Sequence, residues 1–214
     1  MKRFLLLSLA AGGLIVPAYA QRFEIGAFGG WPRFPQKPLG STSPESKQDN
    51  DTTLSLSQIL VGGRFTINST GYYGHELSYW RTSGRLSTIR RVTENRVLNT
   101  TVHEDSIRVQ NVAYNFLIYF MPGGEKWRPF ITGGLHAQQY DEPNFDFWAR
   151  GRSRNYGANY GAGLKLIPAK HVLFRFDWRH FIGGKPYDLE YADFRVTGGL
   201  IGTMTASAGL SITF

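Results

Sequence analysis

The sequence predicts an all-β fold, an eight-stranded antiparallel up-and-down transmembrane β-barrel. Three observations carry that expectation. Apolar residues recur with period two in segment after segment, while helical periodicity is weak throughout. The polar connections alternate between long and short along the chain. The 214 residues include 25 Gly, 15 Phe and 11 Tyr but no Cys, so stability has to come from burial or backbone closure and not from disulfides.

The first twenty residues stand apart from this pattern. Lys2 and Arg3 precede an apolar run from Phe4 to Val16, and Ala18-Tyr19-Ala20 forms a small-x-small site before Gln21. That is the order of a cleaved secretory signal, and the run is too short for a spanning helix. Residues 1–20 are therefore read as a signal peptide and residues 21–214 as the barrel domain. No Cys follows the site, which excludes a lipoprotein anchor. Removing Lys2 and Arg3 lowers the formal charge from +8 to about +6. The mean hydropathy of −0.27 resembles that of a soluble protein. A barrel wall that is apolar outside and polar inside averages to the same value.

The strands follow in order. Phe23, Ile25 and Ala27 share one face of the first, opposite Glu24 and Gly26. Pro32 to Thr53 then reads as a long loop, with four prolines and a Ser/Asp/Asn cluster. Ile59, Val61, Phe65 and Ile67 mark the second strand, and Asn68-Ser69-Thr70-Gly71 a tight turn. Tyr73, Leu77 and Tyr79 oppose Glu76 and Ser78 in the third, with His75 on its apolar face. From Arg81 to Arg108 the chain stays β-prone but turns basic and polar, as expected of a hairpin that continues beyond the membrane around Thr93-Glu94-Asn95. Val112, Tyr114, Phe116, Ile118 and Phe120 form the clearest apolar stripe, opposite Asn111, Ala113 and Asn115, and Pro122 to Glu125 turns the chain back.

Ile131, Leu135 and Ala137 belong to the fifth strand, and Asp141 to Arg154 to a charged loop. Tyr156, Ala158, Tyr160, Ala162, Leu164 and Leu166 share a face of the sixth. After a turn at residues 167–170, Val172, Phe174, Phe176 and Trp178 alternate with Arg175, Asp177 and Arg179. Gly183 to Phe194 reads as the last loop. Met204, Ala206, Ala208, Leu210, Ile212 and Phe214 line the final strand. Connections after the odd-numbered strands are long; those after the second, fourth and sixth hold two to five residues.

Lipid offers no partners to a free sheet edge, so strands span a membrane only in a closed ring. The apolar faces then meet lipid, and the ionic ones point into the lumen. An outward Arg at the midplane would cost about 2–4 kcal/mol, which sets the facing of the Val172 strand. Glu24, Arg64, Glu76, Lys165, Arg175, Asp177 and Arg179 thus form a candidate lumenal charge network. A ring of eight strands has an interior just wide enough for side chains, so these groups should pair into a plug. A narrow or gated conduit stays open as the alternative.

The Ala-x-Ala signal, the alternating strands, "YGAGLKL", "VLFRFDWRHF" and the terminal "SAGLSITF" resemble the small outer-membrane β-barrel family of OmpA-type and OmpX-type proteins, over essentially the whole mature chain. The resemblance implies a bacterial outer-membrane location, both termini at the periplasmic side, and a terminal Phe214 read by the outer-membrane assembly machinery. It also implies contact with outer-membrane lipids and lipopolysaccharide, and a monomeric state. No further domain is expected after the last strand.

Other chemistry finds little footing. Lipid-modifying enzymes occur on eight-stranded barrels, but His180-Phe181-Ile182 lacks the Ser of their His-x-Ser pair, and no catalytic set is assigned. His103, Glu104 and Asp105 are adjacent, and consecutive strand residues face opposite sides, so no metal site is assigned. "GANYGAG" lies within a strand and not between a strand and a helix, so it relieves crowding and holds no nucleotide. No cofactor is expected. The basic groups are divided between lumen and loops, which gives no nucleic-acid surface. Arg85, Arg90, Arg91 and Arg96, with Arg81, form a basic external loop suited to phosphates or to another surface ligand.

Overall fold

The computed structural model describes residues 23–34, 38–42, 48–56, 58–94, 97–144, 152–187, 194–195 and 200–214. The signal segment, Arg96 and residues 145–151 of the Asp141 to Arg154 loop lie outside the described residues. Among the described residues there are eleven strands: β1 Phe23–Arg33, β2 Pro38–Thr42, β3 Gln48–Ser55, β4 Leu60–Thr70, β5 Tyr73–Glu94, β6 Val97–Tyr119, β7 Trp127–Tyr140, β8 Ser153–Ala169, β9 Val172–Gly184, β10 Phe194–Arg195 and β11 Leu200–Thr213. Among the described residues there is no helix.

Eight of these strands close a ring. The antiparallel order β1, β4, β5, β6, β7, β8, β9, β11 returns to β1, where Ile25 pairs with Ile212 and Gly30 with Ser207. Reciprocal bonds between Phe23 and Phe214 pin the seam, Phe214 N to Phe23 O at 2.9 Å and Phe23 N to Phe214 O at 3.3 Å. Closure leaves no edge among the spanning strands, as a bilayer demands.

The facing follows the period-two pattern. Ile25, Leu77, Val112, Tyr114, Leu135, Phe174, Phe176, Leu210 and Ile212 are exposed on the outer wall, while Glu24, Arg64, Glu76, Lys165, Arg175 and Asp177 are buried. Large exposed apolar side chains alternating with buried ionic ones invert the arrangement of a soluble barrel.

The structure corrects the loops. The segment read as one loop from Pro32 to Thr53 instead continues β1 to Arg33 and then forms the β2–β3 hairpin, which docks on β5 with Thr52 opposite Thr88 and Leu54 opposite Leu86. The 183–194 loop contributes β10, a short pair with β2. Both corrections have one cause. The 22 residues of β5 run well beyond the roughly 9–11 that cross a bilayer, and its free edge takes β3, which in turn carries β2 and β10. The β6–β7 connection covers residues 120–126, longer than the two to five residues expected.

A second correction concerns the interior beyond the membrane band. Trp80, Leu86, Ile107, Val109 and Ile201, on strands read as polar at that level or ending near it, turn inward. There they pack with Phe34, Leu39, Leu54, Leu56, Leu60, Tyr140, Phe181 and Tyr187. The barrel therefore carries an apolar core at its long-loop end, above an ionic middle.

The candidate lumenal site and the family

Alternation alone puts the candidate residues on the inner wall; the register then decides who meets whom. Arg175, Asp177 and Arg179 are successive inward positions of β9, so one strand offers a column of alternating charge. Asp177 Oδ1 accepts from Arg175 Nη2 at 2.7 Å and Nε at 3.1 Å, and from Arg179 Nη2 at 3.3 Å. Its second oxygen accepts from Arg64 Nη1 at 2.5 Å, across the lumen on β4. Glu76 of β5 ion-pairs with Arg175, accepts from Arg179 Nη2 at 2.5 Å, and takes the Thr66 hydroxyl at 3.0 Å. Two carboxylates thus stand among three guanidiniums, all buried, and the bonds join β4, β5 and β9.

A second cluster lies toward the short-turn end. Lys165 Nζ on β8 donates to both oxygens of Glu24 on β1, at 2.7 and 2.8 Å, and to the Tyr119 hydroxyl at 2.7 Å. The Tyr119 hydroxyl donates to Asn68 Oδ1 at 2.8 Å, and Asn68 Nδ2 donates to Glu24 Oε1 at 2.9 Å. The result is a closed circuit joining β8, β1, β6 and β4.

Aromatic rings seat the cations. Arg175 lies 4.4 Å over Phe130, Arg64 lies 4.1 Å over Phe28, and Arg128 lies 3.9 Å over Tyr119. Two glycines make room for these rings. A Cβ on Gly163 would sit 2.4 Å from Phe130 Cζ, and one on Gly62 would sit 2.7 Å from Phe28 Cζ.

Arg128, Tyr119, Asn68 and Thr66 are site members that the sequence reading passed over. The signal was present for Tyr119, because the stripe from Val112 to Phe120 puts the odd residues between them inside. Asn68 was read as a turn, and Arg128 fell between the Pro122 to Glu125 turn and Ile131, the first residue assigned to the fifth strand. The Arg128 guanidinium donates to the Gly71 carbonyl at 2.7 Å and to Met121 O at 3.3 Å, tying two short turns together.

Between the ionic layer and the apolar core lies a neutral polar belt. Ser78, Asn111, Asn115, His136, Gln138 and Asn159 are all buried on the inner faces of β5 to β8, and each has at least one side-chain polar atom without a protein partner. Such groups are costly to bury dry, so water is their ordinary companion.

Elsewhere the structure separates the candidates. Arg85 is exposed and faces Glu104 at 3.6 Å. The backbones of Arg90 and Arg91 pair with Asn50 and Asp49 of β3, which makes their hairpin part of a three-stranded arm. His180 sits on the outer wall, with the Tyr160 hydroxyl 2.9 Å from Nδ1.

The model of the outer membrane protein beta-barrel domain family matches residues 6–214. This chain belongs to that family. Family membership places it among bacterial outer-membrane barrels. The N-terminal β-barrel domain of OprF from Pseudomonas aeruginosa is similar, with a TM-score of 0.52 and 21% identity over 91% of this chain and 98% of that one. The outer membrane protein OprG from Pseudomonas aeruginosa has a TM-score of 0.57 and 12% identity over 91% and 97%. At such identities the likeness concerns the fold alone. No curated protein sequence matches the chain.

Proposed function

We propose that this family member is a non-enzymatic structural and surface-interaction protein of the outer membrane, exported by a cleaved signal and closed along its axis. The observation that carries the reading is the pair of cross-lumen ion bridges, Arg64 to Asp177 and Arg175 to Glu76, capped by the apolar core around Trp80, Leu86 and Ile107. Ions crossing such an interior would have to break charge-assisted bonds and then enter a dry layer. The β5–β6 hairpin, buttressed by β3, offers a rigid surface for adhesion or another ligand.

Planar-bilayer recording of the purified protein tests this directly. Silence is expected; steady ion-selective steps that change with Arg175→Ala or Glu76→Ala would replace the closed barrel with a small porin-like conduit. That second reading draws on the belt of unpartnered amides at Asn111, Asn115 and Asn159. Incubation with lipid A or phospholipid should release no acyl chains. Mass spectrometry of the mature protein should find Gln21 at its amino terminus.

A further inference from the structure

The central ionic layer does not balance. Arg64, Arg175 and Arg179 face only Glu76 and Asp177, and three guanidiniums less two carboxylates leave one positive charge in excess. Every inner-wall position of the eight ring strands at this level is among the described residues, and these five are its charged members. A buried ion is costly without a counter-charge.

The excess falls on one side chain. Arg175 donates through Nε and both terminal nitrogens. Arg179 bonds through Nη2 alone, to Glu76 Oε1 at 2.5 Å and Asp177 Oδ1 at 3.3 Å, which leaves its Nε and Nη1 without a partner among the described residues. Arg64 also bonds through one nitrogen, but its guanidinium rests on the Phe28 ring. Side-chain exposure separates the three: 7% for Arg179, 3% for Arg64 and 0% for Arg175. Arg179 lies along the wall over Gly161, where a Cβ would meet Arg179 Cγ at 2.9 Å.

The neutral polar belt begins next to this side chain, on its long-loop side. Asn159 is the next inward residue of β8 beyond Gly161, and Gly134 stands between it and Asn115, which in turn faces Glu76. Both amides are buried with neither nitrogen nor oxygen partnered, and Trp80 Nε1 and Gln138 Nε2 have no acceptor. Phe181, the next inward residue of β9 after Arg179, roofs the space, edge-on to Trp80 at 5.7 Å and to His136 at 5.2 Å. A carboxylate entering from the long-loop end would have to cross this roof and the apolar core around it. Orphaned amides alone would suit water, or a cation at their oxygens. A side-chain amide can also turn its nitrogen inward, and the uncommitted guanidinium nitrogens decide for negative charge. An eight-stranded interior is largely filled by side chains, so the anion has to be small.

We infer that the lumen holds a single halide ion, chloride in ordinary salt, bound by Arg179 Nε and Nη1 and by the amide nitrogens of Asn115 and Asn159. The ion neutralises the layer and is enclosed when the ring closes. This site goes beyond the closed-barrel reading and stands whether or not the lumen conducts.

Two measurements on the purified mature barrel test it. Crystals grown in sodium bromide should give one lumenal peak in anomalous diffraction, between Arg179 and the Asn115 and Asn159 amides. Urea unfolding of the lipid-embedded barrel is then followed at constant ionic strength while chloride replaces isethionate, a larger organic anion. Once the site fills, the wild-type unfolding constant should fall up to about tenfold for each tenfold rise in chloride. Arg179→Gln, which balances the layer, should show no such dependence, and Lys170→Gln, which removes an exposed cation, should match wild type. Should Arg179→Gln fail to fold, Asn115→Leu/Asn159→Leu keeps the charge, lacks the amide donors and should lose most of the chloride effect. Absence of a lumenal bromide peak, equal unfolding in the two salts, or a chloride effect retained by these variants overturns the assignment.

Discussion

Arg175 and Asp177 are two residues apart on β9, share its inner face, and meet at 2.7 Å, while the other oxygen of Asp177 reaches Arg64 across the lumen at 2.5 Å. One carboxylate thus links a contact fixed by strand geometry to one that exists only after the ring has closed. Removing it leaves buried guanidiniums uncompensated, which costs about 3–5 kcal/mol for a broken buried pair. Asp177→Ala should lower the unfolding free energy of the lipid-embedded barrel, measured by urea titration, by that amount. Replacing Asp177 and Arg64 together should cost less than the sum of the single changes.

Packing of the rings beneath the arginines is as constrained as the charges. Gly163→Val would put its Cβ 2.4 Å from both Phe130 Cζ and the Phe176 carbonyl oxygen, so the ring that seats Arg175 and the β8–β9 ladder cannot both stay in place. The variant should run on unheated gels mainly at its unfolded position. Gly133→Ala is the control, since its Cβ would meet nothing closer than 3.8 Å, and it should fold like wild type.

Tyr187, beyond the end of β9, has φ of 61°, a value that side-chain-bearing residues seldom adopt. It is held by its own bonds, the hydroxyl donating to Asp141 O at 2.5 Å and the backbone nitrogen to Ser153 Oγ at 3.0 Å. Burial, and next the nearby Tyr140 and Asp141, push its phenol well above the ordinary value. A raised folded-state value means that stability is full below about pH 10, where the unfolded phenol titrates, and falls as pH rises beyond it. Limited proteolysis of this loop should therefore accelerate above pH 10 in wild type. Tyr187→Phe should be cleaved faster at neutral pH and show a weaker rise with pH.

Phe214 is exposed on the outer wall, and its backbone closes the seam to Phe23. Substitution by Ala keeps both backbone bonds and removes only the ring. If the ring is the feature read by the assembly machinery, Phe214→Ala should insert several-fold more slowly in a reconstituted assembly reaction. Spontaneous folding into detergent should keep its wild-type rate.

Legibility differed by region. Inside the band, the strands from Val112, Tyr156 and Val172 could be read almost residue by residue, because lipid on one side and a tight lumen on the other leave each position two environments. Beyond it, inward Leu86, Ile107 and Val109 are flanked by outward Arg85 and Arg108, and the segment looked merely basic and polar. Water on the outer face removes the lipid signal, and the partners that make the inner face dry, Leu39 and Leu54, come from a distant hairpin with proline-rich, loop-like neighbours.

Alternation in the chain was enough to fix which side chains point inward, because successive strand residues must face opposite sides and a bilayer tolerates only one of the two choices. It named Glu24, Arg64, Glu76, Lys165, Arg175, Asp177 and Arg179 as lumenal without naming a single pair. Partnership required closure. The stagger of eight strands set Arg64 against Asp177 and Lys165 against Glu24, and brought Arg128 and Tyr119 into the circuit. Register is a property of the whole ring, since each strand's position depends on both neighbours, and no local run of residues encodes it.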